Sequence, residues 1–108
     1  MRIEIHSTNP IALLSKIKKD INDHKIQTWD VVKDNNQNDY FTHNPEQWFK
    51  KALLESKTAS SPSRLILTVT WFTKSIPNEY TKGLYIGRFT EQLLEHYSKD
   101  FSKLETFA

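Results

Sequence analysis

Polar and apolar positions along the chain repeat with two different periods, and the switches between them divide it into elements. Residues 2–6 set Ile3 and Ile5 between Arg2, Glu4 and His6, the two-residue period of a half-buried strand. Asn9 followed by Pro10 is a helix cap with a preset first position. Leu13, Leu14, Ile17 and Ile21 continue at spacings of three and four, which predicts a helix over 10–24. Lys16, Lys18, Lys19, Asp20 and Asp23 give its other face the mixed charge of a solvated surface. The β-branched and aromatic residues Ile26, Thr28, Trp29, Val31 and Val32 predict a second strand. Tyr40 to His43 resume extended chain after the polar run 34–39, so the two segments form a hairpin. Asn44, Pro45 and Gln47 approximate a capping box, which predicts a short helix over 45–54 carrying Trp48 and Phe49. Early passage into extended chain through Leu53 to Lys57 is the alternative.

Ser56 to Ser63 has linker composition but is short enough for an exposed loop within one domain. The strongest alternation lies in 64–74, where Leu65, Leu67, Val69 and Trp71 oppose Ile66, Thr68, Thr70 and Phe72. Ser75 to Asn78 mark a turn, after which 79–85 returns as an antiparallel strand. Phe89, Leu93, Tyr97, Phe101 and Leu104 recur at helical spacing, predicting a last helix over 87–103. The order predicts an α+β two-layer sandwich, with a largely antiparallel sheet of four or five strands and two long helices packed on one face. In that arrangement Ile66 and Phe72 point out of the other face, to be covered by a loop, a second protomer or a different protein.

Composition narrows the chemistry. At 108 residues the chain is one domain. The absence of cysteine excludes disulfides, thiolate metal sites and a Cys nucleophile. Only two glycines occur, Gly83 and Gly87, so phosphate loops built on Gly spacing are absent. A net charge of +2 does not select nucleic acid as a partner. The amino-terminal residues lack the apolar stretch of a secretory signal, and no window is apolar enough to span a membrane. The expectation is a soluble cytoplasmic protein without membrane association.

Several residue groups have the ingredients of a site. Asp34, Asn36 and Asn38 imitate the start of a calcium loop, but Asp39 and Pro45 stand where Gly and a bidentate Glu are required. His43 with Asp39, and His96 with Asp100, are the histidine–acid pairs from which a general base could be built. Glu55-Ser56-Lys57 is the E-x-K triplet of metal-dependent nucleases, with Asp30 or Asp39 as the upstream carboxylate. Trp48, Lys50 and Lys51, with the lysines of the first helix, combine aromatic faces and positive charge as in single-strand nucleic-acid binders. Gly87 and Arg88 stand at the predicted start of the last helix, where free N–H groups and a guanidinium could hold an anion. Each group also has an ordinary structural explanation, and none assigns a catalytic set, a metal or a cofactor.

Thr28-Trp29, the run Asp39 to Trp48, and Gly87-Arg88-Phe89 with Leu93, Leu94 and His96 resemble a family of small uncharacterised bacterial proteins of about this length. That resemblance implies a bacterial source and a stand-alone domain, and brings no activity with it. The leading expectation is a non-enzymatic interaction module that meets a protein partner or a second copy of itself. Its contact candidates are Tyr40, His43, Trp48, Ile66, Phe72 and Arg88. A nucleic-acid-binding module is the alternative, and a metal-dependent hydrolase on Asp39, Glu55 and Lys57 comes third.

Overall fold

The computed structural model describes all 108 residues. The elements run β1 (Arg2–His6), α1 (Pro10–Asn22), β2 (Trp29–Lys33), β3 (Asp39–His43), β4 (Leu53–Ser60), β5 (Ser63–Thr70), α2 (Glu79–Tyr97) and β6 (Lys103–Phe107). All six strands join one antiparallel sheet in the order β2-β3-β4-β5-β1-β6. The architecture is therefore α+β, with two helices and a six-stranded sheet rather than one of four or five strands.

Local chemistry explains most boundaries. The Asn9 side chain accepts the N–H of Ala12, and Pro10 opens α1, as the cap and preset φ require. Asn78 does the same for α2 by accepting the N–H of Thr81. That cap starts the second helix at Glu79, so the expected return strand over 79–85 is the first two turns of α2. Gly83 and Gly87 consequently lie inside a helix and mark no strand-to-helix junction. Nothing lies within 4 Å of where a Cβ on either would sit, so neither glycine is demanded by packing.

The chain leaves α2 after Tyr97 and turns, with the Asp100 N–H donating to Tyr97 O and the Ser102 N–H to His6 O. Those contacts deliver residues 103–107 to the free side of β1 as β6, replacing the predicted continuation of the helix to 103. Residues 45–52 are turns rather than a helix, and 56–63 is not a loop. Instead β4 and β5 form the longest ladder, from Leu53↔Thr70 to Ser60↔Ser63, joined through Ser61-Pro62 with a cis peptide.

The registers align one apolar row across the sheet. Ile3 and Ile5 pair with Leu67 and Leu65, Val69 with Leu54, and Leu54 with Phe41. This row is continuous with Leu13, Ile17 and Ile21 of α1 and with Tyr85, Ile86, Phe89, Leu93 and Tyr97 of α2. The Tyr97 hydroxyl donates to Asp20 Oδ2 at 2.7 Å, tying the two helices together. Burial and that carboxylate push the phenol well above its ordinary pKa. The intervening strand residues, Glu4, Ile66, Thr68, Glu55 and Tyr40, alternate to the opposite side of the sheet.

Candidate functional site

A buried polar knot holds the 45–52 turn against α2. The Thr42 hydroxyl lies 3.1 Å from the Tyr85 hydroxyl and receives the Lys50 N–H at 2.9 Å. The Tyr85 hydroxyl in turn donates to the Trp48 carbonyl. Thr42 and Tyr85 are both fully buried, so these groups must satisfy one another. The knot sets Trp48 beside α2, and a cleft of about 320 Å³ opens between them, lined by Thr28, His43, Pro45, Gln47, Trp48, Arg88, Glu91 and Gln92.

His43 sits in the wall of this cleft with only 7% of its surface exposed. Its ring lies tilted against Trp29 at 4.9 Å and edge-on to Tyr85 at 6.2 Å. Nδ1 donates to the Thr28 carbonyl at 2.9 Å, which fixes the tautomer and leaves Nε2 as an unpartnered acceptor with access to the cleft. Burial holds the imidazole pKa below its usual value; the Thr28 carbonyl and Glu91 partly oppose this, and the Arg88 charge adds to it. The ring is therefore neutral at pH 7. Arg88 and Glu91, one turn apart on α2, form an exposed pair with Nη1 3.2 Å from Oε1.

The second group of expected contact residues lies on the other side of the sheet. Phe72, just past the end of β5, packs edge-on over Tyr40 with ring centroids 4.8 Å apart and keeps 46% of its surface exposed. Trp71 beside it is also exposed, so it does not continue the inward row of β5 as its alternation predicts. Ile66 stands half-buried between Glu4 and Lys57. The Tyr40 hydroxyl donates to Asp34, and that hydrogen bond, followed by burial and the Asp34 charge, raises the phenol pKa. Further along, Glu4 receives Arg2 and Arg64, each at 2.8 Å, and its pKa is lowered by the Arg2 hydrogen bond and then by Arg64, against the desolvation of the site. Glu4, His6 and Glu105 bring three possible metal-ligand atoms within 4.8 Å of one another. However, both Glu4 oxygens already hold guanidinium groups, and Lys103 lies 3.6 Å from Glu105. A dication there would meet three cations.

A larger hollow of about 420 Å³ lies at the start of α1, between residues 6–9 and 99–102. Lys16 there is paired with Asp100 at 3.0 Å and His6 is bonded to Glu105 at 2.7 Å, while Lys99 has no ion-pair partner. The cleft at His43 differs in offering a histidine nitrogen, Nε2, that has no hydrogen-bond partner and opens onto the cleft.

Three of the six candidates, His43, Trp48 and Arg88, thus meet in one cleft, while Tyr40, Ile66 and Phe72 belong to the opposite sheet side. The histidine–acid pairs do not form. His43 bonds Thr28, Asp39 is held by Lys33 at 2.5 Å and Lys18 at 3.1 Å, and Asp100 binds Lys16 instead of His96. Asp39 and Glu55 line a common depression with Lys18, and Lys57 lies 3.6 Å from Glu55. Lysine therefore already occupies the carboxylates that a hydrolytic metal would need. The α1 lysines 16, 18 and 19 each reach an acid, at Asp100, Asp39 and Asp23, which leaves the helix little free positive charge. Asp34 accepts the N–H groups of Asn36 and Asn38 and closes the β2–β3 turn. Arg88 lies in the middle of α2, where the backbone N–H groups are used by the helix, so no anion site forms from Gly87.

Thr28, Gln47, Glu91 and Gln92 complete the cleft wall, and none of them was expected as a contact residue. The available signal was the Arg88–Glu91 spacing of three, which places both on one side of a helix. No family model, curated protein or solved structure matches the chain. No helix is long and apolar enough to cross a membrane.

Proposed function

We propose that the protein is a non-enzymatic interaction module in which both helices pack on one side of the sheet, leaving the side with Tyr40, Ile66 and Phe72 as its contact surface for a protein partner, a second copy included. The observation that carries this reading is the Tyr40–Phe72 pair. A phenylalanine packed on one edge of a tyrosine, with nearly half its surface in water and Trp71 exposed next to it, gains further burial only from another molecule. Alternating charges along the same sheet face, Arg2, Arg64 and Lys57 against Glu4 and Glu55, supply polar groups that such contacts use for register.

Light scattering over a concentration series tests the self-association form. The expected result is a mass that rises with concentration for the wild-type chain and stays at one protomer for Phe72→Asp, with equal melting temperatures. A strict monomer in both eliminates a second copy as the occupant. Cross-linking in cells, with Phe72→Asp as the control, then reads the heterologous form.

A further inference from the structure

The cleft between the 45–52 turn and α2 contains a neutral histidine nitrogen, a guanidinium, a carboxylate and an indole within about 320 Å³, a volume at the lower end of small-molecule sites. His43 Nδ1 is committed to Thr28 O, so Nε2 can serve only as an acceptor. It needs a ligand donor such as ammonium or hydroxyl. Arg88 uses one nitrogen on Glu91, at 3.2 and 3.4 Å, and retains a free edge suited to a carboxylate. Both side chains are more than half exposed, and a pair of this kind contributes little and reopens easily. A ligand carrying adjacent opposite charges can therefore insert between them without leaving either uncompensated. Trp48 and Pro45 supply the apolar wall for the remainder of such a molecule.

We propose that this cleft binds a free α-amino acid with an apolar side chain, its carboxylate on Arg88, its ammonium shared between Glu91 and His43 Nε2, and its side chain against Trp48. The site is independent of the contact surface around Phe72.

Isothermal titration with L-leucine and L-phenylalanine, alongside leucinamide and N-acetylleucine, tests it on the full chain. Leucinamide lacks the carboxylate and N-acetylleucine the ammonium. The expected result is saturable millimolar or tighter binding of at least one amino acid, weakened about tenfold or more in both blocked forms, as loss of one charge-assisted contact requires. Arg88→Gln, at an exposed helix position, should abolish binding without changing the melting temperature. His43→Asn retains a donor for Thr28 O while removing Nε2, and should weaken binding about tenfold. The ¹⁵N resonance of His43 Nε2 should shift on titration with the amino acid and remain unmoved by the amide. Absence of both heat and resonance shift with either amino acid overturns the proposal, as does equal affinity for the blocked forms. If His43→Asn does not fold, Arg88→Gln and the resonance decide alone.

Discussion

Trp29 and Phe72 are both large aromatics at the ends of strands on the same sheet, yet their surroundings differ in kind. Trp29 is held from three directions, by His43 and Phe89 at 4.9 Å and by Tyr85 at 5.5 Å, and is 1% exposed. Phe72 rests on a single ring edge and faces water. The first arrangement fixes an orientation and leaves no room; its indole N–H is buried without a hydrogen-bond partner, so packing outweighs even that loss. The second leaves both room and unburied area, and a contact surface requires both. Residue type therefore does not separate core from surface here, whereas the number of directions from which a ring is held does.

Substitutions can break or sharpen this contrast. Trp29→Ala should cost about 3–5 kcal/mol in urea unfolding, while Phe72→Ala should cost less than about 1 kcal/mol. Equal costs would show that the 71–78 segment packs as tightly as the core. Thr42→Val keeps the shape but strands the Lys50 N–H and a Tyr85 contact, and should cost about 1–3 kcal/mol. It should also speed amide exchange at Lys50, since that turn holds the cleft wall. Gly83→Ala and Gly87→Ala, each in open space inside α2, should stabilise by about 0.5–1 kcal/mol apiece. Calorimetry should read this as a rise in Tm of about 4–8 °C per kcal/mol.

The smallest effect is a pH slope. The His43 pKa is depressed in the folded chain, so between that value and the ordinary 6.5 the unfolded chain binds a proton that the folded chain does not. Stability should therefore fall as pH drops below 6.5, and the His43→Asn variant should lose that slope. Comparing the urea midpoints of the two proteins between neutral and mildly acidic pH isolates the contribution from the carboxylates, which titrate lower.

Legibility followed how local each cause was. Ile3 and Ile5, the Leu65-to-Val69 alternation and the Asn9-Pro10 cap lie within a few residues of what they determine, and β1, β5 and the start of α1 were readable from them. The start of α2 had an equally local cap at Asn78, but Gly83 and Gly87 weaken the helical pattern and Tyr80, Thr81 and Tyr85 suit a strand. Tyr85 in fact begins the stripe continued by Phe89, Leu93 and Tyr97. Leu104 fits that spacing as well, which disguised β6, and only the distant edge of β1 makes 103–107 a strand. The cleft was less legible still. It depends on Tyr85 reaching Trp48, 37 residues away, and no short-range pattern encodes that contact.

The position of β1 governs the order in which the sheet can assemble. It is made first and lies between β5 and β6, with Arg2 opposite both Thr68 and Phe107. On the ribosome its two edges must wait, one for a strand about 60 residues later and the other for one about 100 residues later, while the β2–β3 and β4–β5 hairpins close locally. Through that interval an Ile-containing strand stands with both edges open, the form most prone to capture by another chain. Arg2 and Glu4, set on either side of Ile3, keep that waiting strand charged until its neighbours arrive.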